Sequence, residues 1–204
     1  MKKLITLVLA ALMLLSFASC SSNKKSNSQT DENVTPAEIE AAIAKALDDG
    51  YLCTVDVPED SIFSSAIGRL DLNKVISYVA KQTTVPSVNM DSVVIAKCQP
   101  GYADEAVTLF NEYFAQTIGY VRQYPFGVAK AENARIYKVG DTVMFIMAGA
   151  SASEDATAED AAKLAADEYK KIDEAIKSIF GSVPENLAVV PENSGNNGGG
   201  LIGG

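Results

Sequence analysis

The sequence predicts an α+β domain: a small, mostly antiparallel sheet in a βαββα(β) order that fits a ferredoxin-like core, with additional helices on its N-terminal side. Three observations carry this reading. Residues 93–96 and 143–148 are continuously apolar, as strands covered on both faces are. Between them Ala106, Val107, Phe110, Tyr113, Phe114, Thr117, Ile118 and Val121 recur at helical spacing, opposite a polar face that includes Asp104, Glu105, Glu112 and Gln116. Finally, 135–139 and 142–148 flank Gly140-Asp141, a two-residue pair with glycine first, as a type II′ hairpin turn prefers.

The helical stretch has one buried face. Asp104 and Glu105 fall in its first turn and Arg122 in its last, which complements the helix dipole, and Pro125 disfavours α geometry at Tyr124. In a ferredoxin-like plan the first and third strands are central and the second lies at an edge. The second strand here carries Arg135 and Lys138, as an edge strand does. Thr157, followed by Asp160, caps a last helix whose apolar face runs through Ala161, Ala165, Tyr169, Ile172, Ile176 and Ile179 to Gly181. Residues 187–190 supply the short final strand.

The N-terminal part adds further elements. Thr35 is the N-cap of a helix with Pro36 first, Glu38 closing a capping box, Val34 stapled to Ile39 and Gly50 as C-cap. Residues 52–57 read as extended and 58–67 as a turn with a short helix. Asp71 reads as the N-cap of a helix carrying Leu72, Val75, Ile76 and Val79. A sheet with two apolar faces needs two covers. If the long and last helices share one face, the N-terminal helices cover the other, making one three-layer domain.

The run IAKCQPGYADEAVTLFNEYF, the QYP at 123–125 and the hairpin YKVGDTVMFIMAG resemble the central pattern of a family of small bacterial lipoproteins known only as a domain of unknown function. The resemblance covers roughly 39–150. It implies an extracytoplasmic, membrane-tethered domain without an assigned activity, and it carries over no functional residues.

The chain opens as such a protein would. Lys2 and Lys3, the apolar run 4–15 and then Phe17-Ala18-Ser19-Cys20 resemble a lipoprotein signal, with Phe17 where leucine is usual. Cleavage after Ser19 leaves Cys20 to carry the lipid (palmitate among its acyl chains) as the mature N-terminus. A plain signal peptide and an uncleaved anchor compete with this reading, although the apolar run is short for a membrane span. Residues 20–33 then form a polar, flexible tether, 34–190 a single domain, and 191–204 an Asn/Gly-rich disordered tail. Of 17 basic and 26 acidic residues, cleavage removes two lysines, so the net charge moves from −9 to about −11. That sign argues against a nucleic-acid partner and leaves the lipid as the membrane attachment.

The chain has no histidine, which excludes His-based triads and the commonest metal ligand. Cys53 and Cys98 lack any metal-ligand spacing. They are either two separate buried thiols or a disulfide that an oxidising location permits. Adjacent acids such as Asp104-Glu105, Glu159-Asp160 and Asp167-Glu168 read as solvated groups, most of them at or near helix starts, with Asp48-Asp49-Gly50 the exception at a helix end. No catalytic residue, cofactor or metal is expected. Tyr120, Arg122, Tyr124 and Phe126 are the candidate ligand-binding residues, as aromatics beside a Pro break that can stack on a sugar ring or a peptide, or simply pack the helix end. The leading function is a non-catalytic module binding a small ligand or an envelope protein. The rival is a cell-wall hydrolase using paired carboxylates.

Overall fold

In the computed structural model, residues 34–86, 89–123 and 127–192 are described. Helix α1 is Pro36–Leu47, followed by the strands β1 (Val55–Asp56), β2 (Val75–Gln82) and β3 (Ser92–Cys98). Helices α2 (Ala103–Val121) and α3 (Val128–Glu132) lead to the hairpin β4 (Arg135–Val139) and β5 (Thr142–Met147), and α4 is Ala158–Phe180. The five strands make one antiparallel sheet in the order β1-β2-β3-β5-β4. As expected, β3 and β5 are central and β4 is at an edge.

Three layers result, because β3 and β5 alternate apolar residues to both faces. Val94, Ala96, Val143, Phe145 and Met147 share one core with the α2 stripe of Ala106, Phe110, Phe114 and Ile118. Phe145 is its centre, with Tyr113 edge-on at 5.4 Å and Phe110 at 6.1 Å. Val93, Ile95, Met144, Ile146 and Ala148 share the other core with Ile39, Ile43 and Leu47 of α1 and Tyr169, Ile172 and Ile176 of α4.

Helix α1 therefore covers the face opposite α2, as the two-faced strands require. It does so together with α4, so the long and last helices do not share a face. Gly149, at a φ of 120°, turns the chain as it leaves β5, and a Cβ there would stand 2.9 Å from Cβ of Glu168 on α4. That close approach lets α4 seat against α1.

Three local expectations are corrected. Residues 75–82 form a strand rather than a helix. Asp71 does cap the next residues, accepting from the Asn73 N–H at 3.1 Å, but only for the 3₁₀ turn Leu72–Lys74. The run Val75, Ile76, Tyr78 and Val79 then extends against β3, where β-branched and aromatic side chains favour a pleated surface. Helix α1 ends before Gly50, with Asp48 as C-cap at a φ of 49° and a 3₁₀ turn over Asp48–Gly50. The segment 187–190 forms no strand. It lies along β4 through one backbone bond, the Leu187 N–H to the Ile136 carbonyl at 2.8 Å, and the Asn186 side chain bonds the Ile136 N–H and the Ala134 carbonyl.

Other local readings match. The capping box at Thr35 and Glu38 is complete, Thr157 accepts from the Asp160 N–H, and Gly181 ends α4 in the left-handed region. Gly140 takes a φ of 56° in the β4–β5 turn.

Candidate functional site

A cavity of about 580 Å³ opens at the end of the sheet where β3 begins and β5 ends. Its apolar wall is Met90, Val121, Ala131 and Met147, with Leu52 and Tyr120 at the mouth, 42% and 40% exposed. Ser151, Ser153 and Glu154, on the loop after β5, make the polar rim.

Its floor holds Lys130 of α3, whose side chain is 8% exposed, and Asp91, just before β3, whose side chain is 1% exposed. The Lys130 Nζ lies 2.5 Å from Asp91 Oδ1 and donates to Ser151 Oγ at 2.7 Å, the Gly149 carbonyl at 3.2 Å and Asn89 Oδ1 at 3.3 Å. One buried cation thus ties α3 to the segments that enter β3 and leave β5. Lys130 and Asn89 are the polar side chains that face the Asp91 carboxylate, whose two oxygens are both sealed from solvent. Burial pushes the Asp91 carboxyl above its ordinary value, and Lys130 opposes the rise.

Glu168 holds this loop from behind. It is buried in the middle of α4 and accepts the Ala150 N–H at 3.0 Å, while Lys171 pairs with its other oxygen at 2.5 Å. The sequence reading placed Asp167-Glu168 among solvated acids. Glu168 is instead a backbone clamp, because α4 turns that side toward the β5 exit. Gly50 also packs against it, and a Cβ there would meet Glu168 Oε2 at 2.6 Å.

Asp91 also faces the opposite core. Burial, and next the Asp91 charge, raise both the Cys53 thiol and the fully buried Tyr169 hydroxyl, so both stay protonated at neutral pH. Cys53 belongs to the α1/α4 core and Cys98 to the α2 core, so the sheet stands between these two free thiols.

The cavity meets the candidate residues in part. Tyr120 lines it. Arg122 does not: its guanidinium donates to Glu132 Oε1 at 2.9 and 3.2 Å and to the Pro191 carbonyl at 2.9 Å, fastening the end of α2 to α3 and the C-terminal segment. Tyr124, Phe126 and the lipidation candidate Cys20 lie outside the described residues. Lys130, Asp91 and Ser151, which build the floor, were not singled out from sequence. The available signal was a lone lysine among alanines in VAKAE and an acid directly before an apolar strand.

A serine 2.7 Å from a buried lysine invites comparison with a nucleophile and its base. For that role the lysine must give up its charge and accept a proton. Here the Lys130 Nζ is already shared among four acceptors, the Asp91 carboxylate, the Gly149 carbonyl and Asn89 Oδ1 besides Ser151, so the lysine braces the floor. Asp91 and Glu154 line the same cavity, yet both Asp91 carboxylate oxygens are sealed from solvent. A substrate atom cannot reach them without rearrangement. What the arrangement offers is an apolar-walled cavity with hydroxyls and one carboxylate at its rim, the make-up of a small-molecule site.

Compared with known protein families, with curated proteins and with solved structures, the chain matches none of them. Among the described residues, no helix is long and apolar enough to cross a membrane.

Proposed function

We propose that this chain is a lipid-anchored, extracytoplasmic binding module whose cavity takes a small ligand with an apolar body. The observation that carries the binding reading is the 580 Å³ cavity with a rigid, charge-paired floor. A floor cation already surrounded by acceptors is preorganised, and it leaves recognition to the apolar wall and the rim hydroxyls. The anchor is supported by the signal-like N-terminus, the Cys20 position and the resemblance to small bacterial lipoproteins.

Each half has its own test. A neutral apolar fluorophore, N-phenyl-1-naphthylamine, should bind the unlipidated protein saturably at one site, and Ser153→Trp at the rim should weaken it at least about tenfold. Equal binding by both proteins would place the dye elsewhere and remove the cavity from the argument. Cys20→Ala should release the protein from membranes on fractionation. Retention equal to wild type would overturn the lipid anchor.

A further inference from the structure

The sheet has an edge that its own strands leave half covered. β1 pairs with β2 only at Val55↔Gln82 and Asp56↔Lys81, and one further bond runs from the Val57 N–H to the Ala80 carbonyl at 3.0 Å. Pro58 then turns the chain away into the 3₁₀ helix Glu59–Ser64. Backbone groups alternate sides along a strand, so Tyr78, two residues before Ala80, presents its N–H and C=O outward as well. Among the described residues none takes them.

This open stretch is the floor of a groove of about 490 Å³. Ala37 and Glu40 of α1 form one wall, and Ile62 and Ile67 the other. Ile76 and Tyr78 are 63% and 43% exposed, and Phe63, beside Ile62, is 84% exposed. Unpaired strand backbone next to exposed apolar side chains is the surface that an extended peptide completes. We propose that the outer edge of β2 at residues 76–79 is a strand-addition site for an extended, neutral-to-basic peptide segment of a partner protein.

The groove argues for a peptide rather than for a second copy of this chain. The edge is recessed between two walls, and a second copy carries the same walls, so two such edges cannot approach within the 4.8 Å or so that strand pairing needs. A single extended segment can enter. The charge follows from the lining: Lys81 is paired with Asp56 at 2.8 Å, which leaves Glu40 in excess within a chain of net charge −9. The register shift between Val75 and Ser77 bulges the strand at Ile76, which ends the open lane and limits the added strand to a few residues.

The test uses the chain from residue 20 onward with Cys20→Ala. A phage-displayed library of random nine-residue peptides is selected against it, with counter-selection on the same protein carrying Tyr78→Pro. Proline removes the outward N–H and leaves the β3 side of the ladder intact, as edge strands tolerate. Enriched peptides should alternate apolar residues, carry few acids, slow hydrogen exchange at the Tyr78 amide and bind Tyr78→Pro at least about tenfold more weakly. Ala37→Trp, on an exposed turn of α1, fills the groove without touching the ladder and should weaken the same peptides, so the outcome stands even if the proline variant fails to fold. Failure to enrich any peptide, or equal binding by Ala37→Trp, overturns the proposal. So does a Tyr78 amide already protected without peptide. Protection that grows with protein concentration would assign the edge to a second copy, and protection lost on truncation after Glu192 would assign it to the chain's own tail.

Discussion

Arg135 and Lys130 both fasten elements to the sheet, and they do so with different completeness. Arg135 of β4 reaches both oxygens of Asp173 on α4 at 3.1 Å, donates to the Asn133 carbonyl at 2.6 Å and lies 4.8 Å over the Tyr169 ring. The Tyr137 hydroxyl adds a third donor to Asp173 at 2.5 Å. Lys130 is a point charge among four acceptors, and both oxygens of its partner Asp91 are sealed from solvent. The guanidinium fork matches a carboxylate edge to edge, whereas an ammonium cannot serve two oxygens and three other acceptors at once. The difference teaches what each does. The arginine pair, partly open to water, is a finished clasp. The lysine pair is more deeply buried and less evenly matched, and it forms the floor of the apolar-walled cavity at the β5 exit.

The largest effect should come from breaking the less evenly matched pair. Lys130→Met leaves the Asp91 carboxylate buried without a counter-charge and should cost about 3 to 5 kcal/mol in urea unfolding. Adding Asp91→Asn to that variant should recover more than half of the loss, since the uncompensated charge is then gone. A double variant no more stable than the single one would mean that Lys130 acts through packing of α3 and not through charge.

The contrast between the pairs also marks how far the sequence could be read. Helix α1, helix α2, the hairpin and helix α4 were legible because each carries its own local signal: a capping box at Thr35, an apolar stripe from Ala106 to Val121, a glycine at the hairpin turn, and Thr157 with Gly181. Two faces of strand residues told that two covers were needed. They could not tell which helices supplied which cover, because that depends on the turn at Gly149 and its contact with Glu168. The strand at 75–82 was misread because Leu72, Val75, Ile76 and Val79 satisfy helical spacing as well as a two-sided strand does.

The site was barely legible for a related reason. Arg122 drew attention as a cation among aromatics, yet Glu132 and the Pro191 carbonyl occupy it. Asp91 and Lys130 meet only through tertiary folding, and nothing near either in sequence announces the other. Of the singled-out residues that are described, Tyr120 joins the cavity and Arg122 does not.

A smaller effect is expected on the arginine side. Asp173→Asn keeps the shape and one acceptor but removes the charge that holds the fork, and should cost about 1 to 2 kcal/mol in the same measurement. The pair is partly exposed, at 17% and 24% of its side chains, so solvent screens some of the loss. A loss as large as that of Lys130→Met would erase the distinction between the two pairs.

The smallest and sharpest test is the pH dependence of the lysine side. Burial raises the Asp91 carboxyl above its ordinary 3.8, against the pull of Lys130 and Asn89, while Tyr169 and Cys53 face it from the other core. A carboxyl raised in the folded state contributes its stability below about pH 3.8, and that contribution is lost as pH rises through the folded value. Glu38 acts in the opposite sense. Its capping bonds to Thr35 lower it, so its contribution is present above the ordinary 4.5 and lost as pH falls. The two overlap in any single profile, and the comparison of wild type with Asp91→Asn separates them. As pH falls below the ordinary 3.8, Asp91 becomes neutral as the asparagine is, and the two proteins should converge in stability. Toward pH 7 the wild type should fall progressively below the variant in urea midpoint, at unchanged m value. If the wild type instead gains on the variant as pH rises, the Lys130 attraction outweighs burial, and the floor of the cavity is as well satisfied as the clasp at Arg135.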